Sequence, residues 1–435
     1  MIGQGVRVRI VNVSLAEPRH GYAVMQAVGT AADGRLKLGP GTLYGALRMA
    51  RAMKAAAPAV WIVLGGAYVN TELRRLSDPR LFDLVDFVTL DDGELPLVRL
   101  LEFLAGQRRR QELIRTFTRV GRRVVFHGPG RATLPDTATP WFADLPLDRY
   151  LSMLEMPNLM HRLWSDARWN RLRLAHGCYW HRCRFCDTAL DHIRRYAPVP
   201  VPRLLDRIAA VIAQTGSTGF HFVDEAAPPA LLRRLATGLL ARRLTITWWV
   251  NIRFERGFTP GLARLLARAG CIAVTGGLEA ANDRLLRVLN KGVTLAEAIG
   301  AMRALAGAGI RVHAYLMYGC PSQTEQDTVD ALELVRRLFL AGCVHSVYWH
   351  RFALTVHSTF ARQPRRFGLR LLRAPRATFA RNEIPFVDRV ACDHEMLGRG
   401  LRRATYNYML GLGLDEDVRV WFERPVPPPR PLRLP

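Results

Sequence analysis

Between about residues 171 and 354 the chain alternates short apolar runs with amphipathic stretches, and this rhythm constrains the fold more than any other feature. Six runs read as strands: Arg171–Ala175, Gly219–Val223, Leu244–Val250, Cys271–Gly277, Ile310–Tyr318 and Val344–Ala353. Strands separated by helix-length segments imply parallel pairing, because each return to the same edge of a sheet needs a crossover. The intervening segments carry helix signals. Thr259-Pro260 opens a helix that Gly270 closes, Thr294 and Glu297 form a capping box for a helix ending at Gly309, and Thr324 can cap the next. Leu204, Ile208 and Val211 make an apolar stripe that faces a sheet. The expected fold is α/β, a partial (β/α)6 barrel.

In such barrels chemistry gathers where strands end and run into helices. The first strand leads directly into Gly-Cys-Tyr-Trp-His-Arg-Cys-Arg-Phe-Cys, with Cys178, Cys183 and Cys186 inside nine residues. Asp224 and Glu225 follow the second strand, Asn251 and Arg253 the third, Glu279 the fourth and Gly319 to Ser322 the fifth, while His350 and Arg351 lie near the end of the sixth. All these groups are expected at one mouth.

Three thiolates in one short loop suit two kinds of metal centre. They can hold three corners of a 4Fe-4S cluster and leave the fourth iron open. Alternatively, His176 or His181 completes a closed tetrahedral zinc site. The chain has seven cysteines, an odd number, and no signal-peptide pattern, so a disulfide framework is not expected. Cys271, Cys320, Cys343 and Cys392 stand alone and read as buried, inert thiols.

With these motifs in order, the chain resembles the radical S-adenosylmethionine (SAM) enzymes over roughly residues 165 to 360. The resemblance is carried by the cysteines with Phe185, by Phe222-Val223-Asp224-Glu225, by Gly276-Gly277-Leu278-Glu279, by Asn290-Lys291-Gly292 and by Tyr318-Gly319-Cys320-Pro321-Ser322-Gln323-Thr324-Glu325. Most of the family has three residues between the first two cysteines; here there are four. The resemblance implies that Cys178, Cys183 and Cys186 ligate a 4Fe-4S cluster whose open iron binds SAM. It further implies reductive cleavage of SAM to methionine and a 5'-deoxyadenosyl radical. It places Asp224 and Glu225 at the methionine amino group, Glu279 near the ribose and Arg253 at the SAM carboxylate. No catalytic acid or base is assigned, and lone histidines such as His313 and His350 are more often structural.

Two further resemblances lie ahead of the barrel. Val63-Leu64-Gly65-Gly66 and Val85-Asp86-Phe87-Val88-Thr89-Leu90-Asp91-Asp92-Gly93-Glu94 are similar to the C-terminal half of the cobalamin-binding domain found in one large radical SAM class, in which Gly65 and Gly66 would let backbone approach the cofactor. Leu15 to Met49 is similar to part of a PadR-type winged helix, with Thr42 to Met49 opening the helix that reads DNA. The implied functions are cobalamin-dependent methyl transfer, or modification of a natural product or peptide; the alternative is a redox-sensing, PadR-like DNA-binding regulator. The implied electron donor is a flavodoxin or ferredoxin.

The expected organisation is an N-terminal α/β region at 1–107, with the PadR-like segment at 15–49 and the cobalamin-binding-like half domain at 58–105. A connector at 108–164, the barrel at 165–360 and an extension with a proline-rich tail at 361–435 follow. The net charge of +25 is almost all arginine, since Lys37, Lys54 and Lys291 are the only lysines. Scattered along helices, these arginines read as solvated faces rather than as a nucleic-acid footprint. No apolar run approaches the ~20 residues of a membrane span, and a cytoplasmic location is expected.

Overall fold

A computed structural model describes residues 43–128, 139–143, 145, 147, 169–373 and 382–431. Most of the PadR-like segment lies outside these residues. The chain divides into two compact units. The described part of the first is 43–128 with 382–383, and that of the second is 139–373 with 384–431.

The first unit is a four-stranded sheet in the order β1 (Val63–Leu64), β2 (Phe87–Thr89), β3 (Thr116–Val120), β4 (Arg123–His127). The β1–β2 pair is parallel; the other two pairs are antiparallel. Helices α1 (Leu43–Ala56), α2 (Ala67–Glu72) and α3 (Glu94–Leu104) accompany it. The buried face of α1, with Ala46, Leu47 and Ala50, joins Ile62, Leu64, Val88 and Phe117 in one apolar cluster. Residues 43–49 of the PadR-like segment therefore contribute a helix to this core.

The hairpin β3–β4 falls where a connector was expected. Its Arg119, Arg122 and Arg123 and its Gly121 read as a loop by composition. They are the solvated side and the turn of an edge hairpin, where charge is the usual guard against strand addition. Gly121 supplies the positive φ, 58°, of the two-residue turn. Phe117 packs against Phe126 at 4.7 Å.

The second unit is built on six parallel strands: β5 (Asn170–Leu172), β6 (Gly219–Phe222), β7 (Thr247–Ile252), β8 (Cys271–Glu279), β9 (Arg311–Tyr318) and β10 (Ser346–Arg351). They lie side by side in sequence order, as all-crossover connections require. The intervening helices are α4 (Val201–Thr215), α5 (Pro229–Ala241), α6 (Pro260–Arg268), α7 (Asp283–Leu289), α8 (Leu295–Ala306) and α9 (Glu325–Leu340). Thr259, Thr294 and Thr324 cap α6, α8 and α9 as the sequence indicates, the last two in capping boxes with Glu297 and Asp327.

Alternation sorts each strand into an outer face packed under the helices and an inner face. Phe220, Phe222, Trp248, Val250, Val274, Val312, Ala314, Val347 and Trp349 lie in the outer core with the helix residues. His221, Trp249, Thr275, His313, Tyr315, Tyr348 and His350 take the alternate positions. Trp248, fully buried, also donates from Nε1 to the carbonyl of Ala269 at 2.7 Å.

The C-terminal extension contributes a long helix, α10 (His394–Met409), which covers the outer face of β10. Trp349 donates to Thr405 Oγ1 at 2.7 Å, and Gly398 leaves room for the Tyr318 ring, whose hydroxyl would stand 2.5 Å from an added Cβ. The described part of the proline-rich tail is extended and is tied along α9. Gln326 donates to the carbonyl of Pro428, and the Arg430 amide donates to Asp330.

Substituting Trp248→Ala removes the largest fully buried side chain and one satisfied donor. The expected loss is about 3–5 kcal/mol, read by urea unfolding of the intact chain.

Candidate cluster and nucleotide site

The cysteine loop begins two residues after a small ladder. Ala175 and His176 pair with Ala197 and Pro198, closing residues 177 to 196 into one excursion from the end of β5. Gly177, at φ 71°, opens the loop; a Cβ there would lie 2.1 Å from the carbonyl oxygen of Arg195. The Cys178 amide donates to the carbonyl of Ile193 at 3.1 Å. Cys183 is buried, whereas Cys178 and Cys186 are half-buried, and all three are free thiols.

The additional residue between Cys178 and Cys183 has a local explanation. His181 adopts φ 36°, a left-handed conformation uncommon outside glycine, and its Nδ1 lies 3.1 Å from the carbonyl oxygen of Cys178. A tight turn thus takes up the extra length. His181 binds the loop's own backbone, and among the described residues no three His, Cys, Asp or Glu side chains converge on one point.

A second segment braces the loop. Helix α7 is capped at its C-terminus by Asn290, left-handed at φ 53°, and the chain continues through Lys291 to Gly292 at φ 73°. Trp180 Nε1 donates to the Asn290 carbonyl at 3.0 Å, and Asn290 Nδ2 donates to the Arg182 carbonyl at 2.8 Å. The Arg184 amide donates to the Leu289 carbonyl at 2.9 Å, and its guanidinium donates to the carbonyls of Arg287 and Val288. Gly292 is required here, because a Cβ would come within 2.0 Å of the Trp180 ring.

Charged groups lie beneath this contact. Lys291, 5% exposed, donates from Nζ to Glu279 Oε1 at 2.8 Å. Burial favours the neutral amine, but Glu279 and Cys183 outweigh it and hold the ammonium charged. Arg253, 4% exposed, donates from Nη2 to the Lys291 carbonyl at 2.6 Å and lies 4.4 Å from the Trp180 ring centre. Its Nη1 is buried with no hydrogen-bond partner among the described residues. The Cys183 thiol falls to about 7, first through its hydrogen bond with Cys186 and then through Lys291 and Arg253; the Cys186 thiol rises as the donor of that pair.

Glu279 ends β8 at φ 65° beside a register shift between Gly277 and Glu279. A bulge of this kind re-aims a side chain at a strand end. Gly277 makes room for it, since a Cβ there would overlap Glu279 Oε1 at 1.7 Å.

Asp224 and Glu225 divide. Asp224 is 2% exposed and turns back to the first strand's exit, accepting from the amides of Leu174 (3.0 and 3.1 Å) and Ala175 (2.7 Å). It does not cap α5, which starts after Pro228 without a side-chain cap. Burial lifts its carboxyl from 3.8 to about 7 against those amide bonds. Glu225 is exposed, and the protein packed around it raises its carboxyl above the usual carboxylate range, with Arg173 opposing.

On the inner wall Tyr348 and His350 are exposed, and His350 contacts Tyr315 and Tyr348 with ring centres 5.3 and 4.7 Å apart. Trp249 stacks on His221 at 3.5 Å. In the first unit, Gly65 and Gly66 follow β1 directly. Gly66 has φ 97°, and a Cβ on Gly65 would meet Thr89 Oγ1 at 2.9 Å.

Comparison with known proteins agrees with this arrangement. Residues 172–335 match the family model described as the Radical SAM superfamily. The chain carries a radical SAM domain. An uncharacterized methyltransferase from Pyrococcus horikoshii is 22% identical over 302 residues, covering 68% of this chain and 62% of that protein. An uncharacterized protein from Methanopyrus kandleri is 36% identical over 92 residues, 21% of this chain and 17% of that protein. This chain thus spans less than two thirds of the curated relatives it matches.

Among solved structures, the radical SAM methyltransferase TsrM from Kitasatospora setae, with cobalamin and a [4Fe-4S] cluster bound, aligns with TM-score 0.61 at 16% identity, over 92% of this chain and 79% of that one. The cobalamin-dependent radical SAM enzyme OxsB, with aqua-cobalamin bound, aligns with TM-score 0.60 at 14% identity, over 87% and 59%. At such identities the likeness is one of fold, and it extends beyond the radical SAM domain. No described helix is long and apolar enough to cross a membrane.

Glu279 and Arg253, named from the sequence, are joined by Lys291, and Trp180 of the cysteine loop bonds Asn290; the sequence offered Asn290 and Lys291 only as a motif, without a role. A signal was present: Asn290 and Gly292, both tolerant of positive φ, flank one of only three lysines.

The titration of Asp224 has a defined sign. Its pKa is higher in the folded protein than in the unfolded chain, so its contribution favours folding at low pH and is lost as pH rises from 3.8 through about 7. Between pH 5.5 and 8 it removes on the order of 2 kcal/mol, and Asp224→Asn flattens that part of the profile; urea unfolding at both pH values measures it.

Proposed function

We propose that this chain is a radical SAM enzyme in which Cys178, Cys183 and Cys186 hold a 4Fe-4S cluster. The observation that carries the reading is the cysteine loop: three free thiols at the mouth of a parallel barrel, fastened by Asn290 and Arg184 and backed by Lys291 and Arg253. When bound, such a cluster supplies the electron for reductive cleavage of SAM.

The chain's own residues supply the rest. Glu225, exposed at the end of β6, offers a carboxylate to the SAM ammonium, and Asp224 holds the strand exit in place rather than touching the ligand. Glu279 accepts from the ribose hydroxyls, with Lys291 fixing its carboxylate. Arg253 has an unused Nη1 with which to meet the SAM carboxylate. Tyr348 and His350 line the wall that a substrate meets.

The reaction class is cobalamin-dependent methyl transfer. It is supported by the methyltransferase name of the Pyrococcus relative and by alignment of most of this chain with two cobalamin-binding enzymes. Gly65 and Gly66 then let backbone approach the cobalamin nucleotide tail. The substrate is a small molecule or a peptide, and a flavodoxin or ferredoxin delivers the electron.

Anaerobic reconstitution with iron and sulfide is expected to load about four of each per chain and to yield 5'-deoxyadenosine or S-adenosylhomocysteine from SAM under reduction. Cys183→Ala should lose both the cluster absorbance and SAM turnover. Unchanged iron and sulfide in that variant would overturn the assignment. Cobalt absorbance retained after desalting tests the methyl-transfer reading separately.

A further inference from the structure

Five arginines gather on the surface around the cysteine loop. Arg182 and Arg184 lie within the loop on either side of Cys183, Arg287 lies on α7, and Arg362 and Arg366 lie on the short turns Thr359–Arg362 and Pro364–Phe367. Contacts join them into one patch. The Arg184 guanidinium donates to the carbonyls of Arg287 and Val288 and lies 5.4 Å from the Phe367 ring centre, and Arg366 lies 5.7 Å from the same centre. The amide of Phe360, on the turn that carries Arg362, donates to the Arg184 carbonyl at 3.2 Å. Arg182 lies 5.4 Å from the Trp180 ring centre. Arg184 is half-buried, and the other four are exposed.

These guanidinium groups bond to neutral acceptors. Besides Arg184, Arg287 donates to the Asp283 carbonyl, Arg362 to Thr359 Oγ1 and Arg366 to Gln363 Oε1. Among the described residues none of the five forms an ion pair, whereas Arg336 and Arg337 are matched by Glu333, Arg399 by Glu423 and Arg424 by Glu325. The carboxylates nearest to the five in sequence are Asp187 and Asp283, and they set two negative charges against five positive ones. Such a patch attracts an acidic surface, and a chain charge of +25 draws it from a distance.

The occupant follows from where the patch sits. Arg184 and Phe185 separate Cys183 from Cys186, so a surface seated on Arg184 stands next to two of the three thiols in the chain. Electron transfer slows steeply with distance, and a donor gains most by docking there. Half-buried Trp180 and Phe367, set among the arginines, offer the aromatic contact that the centre of a protein interface uses.

We propose that Arg182, Arg184, Arg287, Arg362 and Arg366 form the docking surface for a small, acidic, low-potential one-electron carrier protein. This rests on the cluster reading above. One electron passes from the carrier, which is oxidised, to the cluster, which is reduced, and no bond is made or broken.

The test is a titration of dye-labelled oxidised flavodoxin with the reconstituted full-length chain, read by fluorescence anisotropy at low and high salt, with iron and sulfide measured on each sample. Arg362→Glu combined with Arg366→Glu is expected to weaken binding about tenfold at low salt, and the difference is expected to narrow as salt rises. Arg233→Glu combined with Arg234→Glu makes the same charge change at exposed positions of α5 and is expected to bind as the wild type does. Equal weakening by the two pairs overturns the proposal, because net charge alone is then at work. Unchanged binding in the Arg362 and Arg366 pair, or no binding by a wild-type chain that carries its iron and sulfide, overturns it too. A labelled RNA titrated in parallel gives a further outcome: weakening confined to the RNA assigns the patch to nucleic acid and overturns the proposal. If the charge reversal sheds iron and sulfide, Arg362→Gln with Arg366→Gln takes its place, with a smaller loss of affinity expected; loss of iron from both overturns the proposal, because the arginines then hold the loop. A wild-type chain that loads no iron or sulfide overturns the cluster reading itself, whereas failed docking by a fully loaded chain leaves that reading standing.

Discussion

The site depends on one contact between distant segments: the turn at Asn290-Lys291-Gly292 seated against the cysteine loop. Main-chain carbonyls from Arg287 to Asn290 receive the loop's Trp180 and Arg184, and Asn290 returns a hydrogen bond to Arg182. A nine-residue loop with one left-handed histidine has little reason of its own to hold three thiols in a fixed relation. Backbone hydrogen bonds to a helix end supply that reason, because the end of α7 has free carbonyls to offer. The same turn delivers Lys291 to Glu279, so the architecture of the loop and its electrostatics share one origin.

Strand ends then do the positioning. Asp224, which looks like a ligand-binding carboxylate from its place after the second strand, is used to hold the exit of the first through the amides of Leu174 and Ala175. The carboxylate beside it, Glu225, is exposed. A buried carboxylate bonded to two backbone amides is expensive to move, and this fixes where the cysteine loop starts. At β8 the arrangement differs: a bulge and two glycines swing Glu279 round to face Lys291.

The barrel was legible in the sequence because its two signals are physically independent. Apolar strand runs report burial on both faces, and Thr-x-x-Glu or Thr-Pro pairs report helix starts, so Gly219–Phe222, Cys271–Glu279 and the capped helices fall where both agree. The hairpin Thr116–His127 was not legible, since an edge pair rich in arginine lacks the apolar alternation that marks a strand. The cysteines could be read because thiols in tight spacing are chemically unusual. Trp180 and Asn290 stand in motifs the sequence shows, but the contact between them joins positions 110 residues apart, and no local pattern records it.

That separation shapes how the protein is made. Arg184 also accepts through its carbonyl from the amide of Phe360, and Thr355 reaches the carbonyl of Phe185 across 170 residues of chain. The outer wall over the last strand is completed later still, by the helix beginning at His394. A nascent chain therefore displays its three thiols long before anything exists to hold them, and contacts of such sequence separation form late. Insertion of a metal centre becomes a maturation event that follows completion of the barrel, and until then the three thiols stand open to oxidation.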